Sequence, residues 1–95
     1  MQLNFIGRNI ELTDALKTFT QEKFQRVEKR DHPISKIDLI FHVDNITHTA
    51  EATIHLHGLE LHASADANDM YAAIDELVDK VSHLLIKHKE KHSHH

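Results

Sequence analysis

Cysteine and tryptophan are absent from this 95-residue chain, glycine occurs twice and proline once. Without cysteine the protein can form no disulfide, no thiolate metal site and no cysteine nucleophile. The two glycines lie far apart, which excludes a glycine-rich phosphate loop, because such a loop needs closely spaced glycines. No apolar run approaches the ~18 residues of a membrane span, and no signal-like segment opens the chain. We therefore expect a small soluble protein that works without any of these devices.

The residues that are present suit one globular domain. Apolar residues make up 40% of the chain and charged residues 27%, which is close to ordinary globular composition. The length allows one domain at most, and the polar, histidine-rich end is typical of a frayed terminus. We predict a single domain over residues 1–90 and a flexible histidine-rich tail over residues 91–95.

Charge is distributed unevenly along the chain, whose formal net charge is −4. Residues 1–79 carry seven basic and fourteen acidic side chains, whereas residues 80–95 carry four lysines and one glutamate. A second basic cluster occupies residues 17–30 inside the acidic part. This asymmetry indicates two basic surfaces on an otherwise acidic body, an arrangement suited to gripping a polyanion at one face.

The first third of the chain has the pattern of a strand followed by a helix. Alternation from Leu3 to Phe5, just before Gly7, predicts a short strand. Thr13 is a suitable N-cap, and His32-Pro33 ends the helix because proline disfavours helical geometry in the residue before it. The apolar positions between them have helical spacing: Leu16, Phe19, Phe24 and Val27.

Three alternating runs and a second helix make up the rest. Apolar and polar residues alternate over 37–43, 50–56 and 59–65, which predicts strands in a half-solvated sheet. Asp44-Asn45 and Gly58 mark the turns between them, and Asn68-Asp69 caps the following helix. The apolar positions of that helix fit a period of 3.6: Met70, Ile74, Leu77, Val78, Val81, Leu84 and Leu85.

The order of these elements predicts an α+β fold of the form β-α-β-β-β-α with a four-stranded sheet. One sheet face is polar, so both helices must cover the other face. Three successive antiparallel strands return the chain to the direction of the second strand. We therefore expect the two helices to lie side by side and parallel.

Basic side chains flank the apolar stripe of each helix on the same angular side. Lys23, Arg26 and Arg30 form the first row, and Lys80, His83, Lys87 and Lys91 the second. On two parallel helices ~10 Å apart, the rows would run along one face and could match phosphates of a folded RNA. The alternative is that they shield core edges and pair with Glu22, Glu28, Glu76 or Asp79.

The histidines, the single tyrosine and the catalytic motifs are the other features that could carry a function. Parity places His42, His55, His57 and His62 on the polar sheet face. His88 and His92 are one helical turn apart, a spacing that can chelate a metal, but no carboxylate or cysteine completes a motif; we predict no metal and no cofactor. Tyr71 is expected to anchor its helix to the sheet, with its hydroxyl hydrogen-bonded. The sequence holds no nucleophile elbow or zincin helix, so we predict no enzymatic activity.

The stretches Thr47–Leu56, Leu61–Ala65 and Asp69–Asp75, the last reading Asp-Met-Tyr-Ala-Ala-Ile-Asp, resemble the ribosome hibernation promoting factor family. Residues 1–7 and the helix start at 13–16 are also similar, so the resemblance covers essentially the whole chain. It implies a fold akin to double-stranded-RNA-binding domains. It also implies a ribosome-binding domain that occupies the small subunit between head and body, in the channel used by mRNA and by tRNA in the A and P sites, and so blocks translation.

In that family, basic residues of the two helices make the main contacts with small-subunit rRNA. Carried onto this chain, the implied nucleic-acid-binding residues are Lys23, Arg26, Lys29, Arg30, Lys80, Lys87, Lys89 and Lys91. His83 stands where a basic residue is expected, so its contact would depend on protonation. No catalytic residue is implied, and inhibition would be steric.

The length favours the short type of the family, because long members add a linker and a C-terminal dimerisation domain. The short type promotes the pairing of idle ribosomes in stationary phase, together with a ribosome modulation factor. We expect a cytoplasmic protein that is monomeric off the ribosome and has no membrane partner. A paralogous inhibitor that opposes pairing, and a general structured-RNA-binding module, are the alternatives.

Overall fold

A computed structural model describes residues 1–28 and 33–93, with side chains up to residue 89. Six elements follow one another in the predicted order. They are β1 (Gln2–Arg8), α1 (Asp14–Glu28), β2 (Ile34–Asp44), β3 (Thr47–Leu56), β4 (Leu59–Ala67) and α2 (Met70–Ser93). The β-α-β-β-β-α fold predicted from the sequence is therefore confirmed, with β1 longer than its alternating residues alone suggested.

The four strands form one sheet in the order β1-β2-β3-β4. β1 is parallel to β2, and the other two pairs are antiparallel. The turn after β2 uses Asn45 at φ 60°, and the turn after β3 uses Gly58 at φ 71°. Both residue types tolerate the left-handed backbone region, which explains why the alternating runs break at these points.

Each helix begins at a side chain that satisfies a free backbone N–H. The Leu16 amide donates to Thr13 Oγ1 at 3.1 Å, and the Ala72 amide donates to Asp69 Oδ1 at 3.0 Å. Such caps satisfy donors of the first turn that have no partner within the helix. The helix starts predicted from Thr13 and Asn68-Asp69 are thus correct, with Asp69 as the capping residue of α2.

The core lies between the helices and one face of the sheet. It contains fully buried side chains from both helices and the inner strands, among them Phe24, Phe41, Ile54 and Leu77. Thr20 is the buried polar residue of α1, and its hydroxyl donates to the Leu16 carbonyl at 2.8 Å. This bond satisfies the hydroxyl inside an apolar layer, so the apolar stripe of α1 continues across Thr20.

The two helices lie side by side and run in the same direction. Phe19, Lys23 and Arg26 of α1 contact Tyr71, Asp75 and Asp79 of α2, in that order. Contacts that advance together along both helices define a parallel pair, as the sequence predicted.

Tyr71 corrects one prediction. The residue is 44% exposed, and its ring meets the Phe19 ring edge-on, with centroids 4.8 Å apart. It therefore anchors α2 to α1 and not to the sheet. Among the described residues its hydroxyl has no hydrogen-bond partner.

α2 is longer than its apolar stripe indicated. It has 24 residues, which corresponds to ~36 Å at 1.5 Å per residue. The boundary of the predicted tail, residues 91–95, therefore falls inside the last turn of α2, which ends at Ser93. Residues 94–95 lie outside the described residues, and the flexibility of the tail stays a prediction.

Candidate nucleic-acid interface

Lys23 and Arg26, the described members of the first basic row, lie in the groove between the helices. Lys23 Nζ is 3.1 Å from Asp75 Oδ1, and Arg26 Nη2 donates to Asp79 Oδ1 at 2.9 Å. Lys23 Nζ also lies 5.3 Å from the centroid of the Phe19 ring, a distance at which a cation is attracted to the ring face. The pairing with helix carboxylates that was the alternative interpretation is thus present for this row.

These ion pairs leave the cations available to a ligand. The side chains of Arg26 and Asp79 are 58% and 64% exposed, and an exposed pair of this kind contributes only ~0–1 kcal/mol. A phosphate offers a guanidinium the same two-oxygen geometry as a carboxylate. If an RNA phosphate replaced Asp79 as the partner of Arg26, the loss of the ion pair would therefore cost little free energy.

The second basic row lies on the opposite flank of α2, beside β4. Lys80 Nζ donates to the Ser64 carbonyl at 2.7 Å and lies 3.7 Å from Glu76 Oε1. The row borders a groove between α2 and the edge strand, whose walls are His62, Ala63, Lys80, His83, Leu84 and Lys87. Lys87 is exposed and has no carboxylate partner in the part of the chain that the structure describes.

The two rows do not form the single uninterrupted basic face that the spacing led us to expect. The helices are parallel neighbours, so the side of α1 that carries Lys23 and Arg26 faces α2. The corresponding side of α2, which carries Lys80, His83 and Lys87, faces away from α1 and lies beside β4. The α2 surface between them carries Asp75, Asp79 and Glu76. Two separate basic strips, Lys23 and Arg26 in one and Lys80, His83 and Lys87 in the other, therefore flank an acidic face of α2.

The other predicted contact residues are Lys29, Arg30, Lys89 and Lys91. Lys89 is exposed on α2 and has no ion-pair partner among described residues. Lys29 and Arg30 lie outside the described residues. Lys91 belongs to the last turn of α2, and its side chain is outside the description.

The open face of the sheet carries a network of histidines and carboxylates. His42 Nε2 is 3.2 Å from Glu51 Oε2. His55 Nε2 lies 2.8 Å from Asp38 Oδ2, and His55 Nδ1 lies 3.3 Å from Glu60 Oε1. The His55 ring can donate to both carboxylates at once only when it is protonated. Parity placed His42, His55 and His62 on this face correctly, but His57 lies in the turn after β3 and not in the sheet. The carboxylate partners become apparent only from the strand register.

Asp38 is held in its charged form by this network. The Asn4 amide donates to Asp38 Oδ1 at 2.9 Å. Hydrogen bonds from Asn4 and then His55 keep the pKa of the Asp38 carboxyl below its ordinary value, with burial opposing the shift and the charges of Lys36 and His55 adding to it. The carboxylates Asp38, Glu51 and Glu60 of the open face therefore already have partners within the protein.

Within the described residues no helix has the length and apolar character needed to cross a membrane. The same residues contain no group of three or more histidine, aspartate or glutamate side chains arranged to hold a metal ion.

A four-stranded sheet with two parallel helices on one face is the architecture of ribosomal subunit interface proteins. The structure of such a protein from Coxiella burnetii has a TM-score of 0.89 and 30% identity, covering 95% of this chain and 99% of that one. The crystal structure of the N-terminal domain of Thermus thermophilus Protein Y has a TM-score of 0.77 and 29% identity, covering 85% of this chain and 91% of that one.

The chain belongs to the Sigma 54 modulation protein / S30EA ribosomal protein family, whose model matches residues 3–93. It is 46% identical over 95 residues to the ribosome hibernation promoting factor of Escherichia coli K12, covering all of both chains. The protein of the same name from Azotobacter vinelandii is 44% identical over 91 residues, which covers 96% of this chain and 85% of that one. The resemblance inferred from the sequence is confirmed.

Proposed function

We propose that this protein is a ribosome hibernation factor that binds the small ribosomal subunit in the channel used by mRNA and by A- and P-site tRNA. There it blocks translation and promotes the pairing of inactive ribosomes in stationary phase. The observation that carries the proposal is the end-to-end 46% identity with a protein named ribosome hibernation promoting factor. The fold shared with a ribosomal subunit interface protein supports it.

The two basic strips supply the means of binding. Lys87 and Lys89 are exposed without carboxylate partners in the described structure, and Lys23 and Arg26 are held by exchangeable surface pairs. Contacts of such side chains with phosphates provide affinity that falls steeply with salt. A rigid sheet with two helices suits recognition of folded rRNA by shape, and an occupied channel excludes tRNA without any catalytic step.

The proposed partners are small-subunit rRNA and idle ribosomes in the cytoplasm, with a ribosome modulation factor acting alongside. Off the ribosome the protein is proposed to be a monomer. His83 joins the contact set when it is protonated, and Lys29, Arg30 and Lys91 complete it.

Competition with initiator tRNA on purified small subunits tests this proposal. We expect the protein and initiator tRNA to exclude each other, and we expect paired ribosomes in sucrose gradients when a ribosome modulation factor is added. Simultaneous binding would instead support a general RNA-binding module. Mutual exclusion without pairing would support an inhibitor that opposes pairing.

A further inference from the structure

The groove between α2 and β4 brings together two lysines and two histidines. Lys80, His83 and Lys87 come from one flank of α2, and His62 comes from the edge strand; Ala63 and Leu84 provide the apolar part of the wall. The sequence placed His62 on the polar sheet face, away from the basic row. The structure shows that it borders both that face and this groove.

Both histidines are exposed, and both can offer an N–H to a ligand. His62 Nδ1 lies 3.0 Å from Thr53 Oγ1, so this ring is fixed through one nitrogen and keeps Nε2 for another partner. His83 lies three residues after Lys80 and four before Lys87, on the same helical flank. Protonation gives each ring a positive charge and a second N–H, and histidine is the side chain that changes charge between about pH 5 and 8.

The carboxylates of the neighbouring elements are mostly engaged elsewhere. On β3 and β4, Glu51 pairs with His42, Glu60 with His55, and Asp66 accepts from Thr49. On α2, Glu76 lies 3.7 Å from Lys80. Asp79, one helical turn before His83, pairs with Arg26 of α1. The groove therefore brings together two lysines and two histidines, with Glu76 and Asp79 as the carboxylates beside them on α2.

We propose that this groove is an anion site for a phosphate of the RNA backbone, in which His62 and His83 make binding proton-linked. The inference rests on the proposed ribosome binding and adds His62 to the contact set. Lys80 and Lys87 supply attraction at any physiological pH. Protonated His62 and His83 add two charge-assisted hydrogen bonds to the same phosphate, so the affinity for the subunit increases as the pH falls.

The test compares affinity for purified small ribosomal subunits at about pH 6 and about pH 8, at constant ionic strength. We expect the wild-type chain to bind about fivefold or more tightly at the lower pH. The His62→Gln/His83→Gln variant is expected to lose the tightening, so that its own affinities at the two pH values differ by no more than about twofold, because glutamine gains no charge as the pH falls. The His42→Gln/His57→Gln variant removes two histidines outside the groove and should tighten like the wild type.

Each other outcome has a definite meaning. Equal tightening in all three proteins, or none in the wild type, overturns the anion site while leaving ribosome binding intact. Weaker binding of the groove variant at both pH values, with a lowered melting temperature, shows that the histidines are structural and also overturns it. A wild-type chain that fails to associate with small subunits at either pH refutes the proposed function and this inference together.

Discussion

The Asp38 carboxylate is the residue of the open face whose surroundings make a clear pH prediction. It accepts hydrogen bonds from Asn4 and His55, which lower its pKa in the folded protein. A carboxyl with a lowered folded-state pKa contributes stability above its unfolded pKa, and this stability is lost as the pH falls through the folded value. Asp38 therefore stabilises the protein at neutral pH and ceases to do so in acid.

We predict that Asp38→Asn lowers the free energy of unfolding by up to ~1 kcal/mol at neutral pH, because it removes a charged hydrogen-bond acceptor from a partly exposed site. The difference from the wild type should close below about pH 4. Urea unfolding at a series of pH values measures both. Asp44→Asn, at the exposed end of the same strand, is the matched control and should change stability little. A difference for Asp38→Asn that stays constant down to acid pH would contradict the assignment.

At the scale of elements, the contact between α1 and α2 depends on Tyr71 and Phe19. The Tyr71 ring packs edge-on against Phe19, while its hydroxyl has no partner among the described residues. We predict that Tyr71→Phe changes the free energy of unfolding by less than ~0.5 kcal/mol. Tyr71→Ala should cost ~1–2 kcal/mol, because it loses apolar burial and the aromatic pair. Equal losses for the two variants would show that the hydroxyl, and not the ring, holds the helices together.

Periodicity predicted the elements well because each one obeys a local rule. Alternation fixes which face of β2–β4 is buried, Thr13 and Asp69 satisfy helix N–H groups, and Gly58 permits the left-handed turn. The helix–helix contacts could not be predicted in the same way. Whether Tyr71 meets the sheet or Phe19 depends on the position of α1, which no local pattern contains.

The candidate site shows the same limit. Helical spacing predicted one basic row on each helix, and it took the packed structure to show that Lys23 and Arg26 of the first row lie in a groove between the helices. Their partners, Asp75 and Asp79, lie more than fifty residues away along the chain. His62 was likewise predicted to face solvent on the sheet, whereas its access to the α2 groove follows from its place on an edge strand.

The interhelical ion pairs make a prediction about binding. Asp79 accepts a hydrogen bond from the Arg26 guanidinium and adds negative charge beside a surface proposed to contact phosphates. We predict that Asp79→Asn tightens binding to small subunits about two- to fivefold at low salt, because it removes both the competition and the repulsion. Equilibrium titration of labelled protein measures this. Asp44→Asn, with the same charge change on β2, should leave the affinity nearly unchanged; weaker binding by Asp79→Asn would mean that the pair positions Arg26 for its ligand.

At the scale of the whole molecule, the proposed function requires an acidic chain to bind a polyanion through the placement of its few cations. The net charge of −4 gives no general attraction to RNA, so the proposed affinity would have to come from the two basic strips. The open sheet face, where carboxylates are paired with histidines, would be oriented away from rRNA. Under the proposed function, charge would therefore set the orientation on the subunit, with both helices toward the RNA.

The decisive variant reverses one cation in each strip. We predict that Arg26→Glu/Lys87→Glu lowers affinity for small subunits by about 100-fold or more, because it replaces two phosphate contacts by repulsion, and that it flattens the dependence of affinity on salt. Co-sedimentation over a salt series measures both effects. The control, Arg8→Glu/Lys17→Glu, makes the same change in net charge at the end of β1 and on the other flank of α1. Melting temperatures establish that both variants fold. Unchanged co-sedimentation of the first variant, or equal loss in both, would show that binding does not depend on the strips and that another surface faces the ribosome.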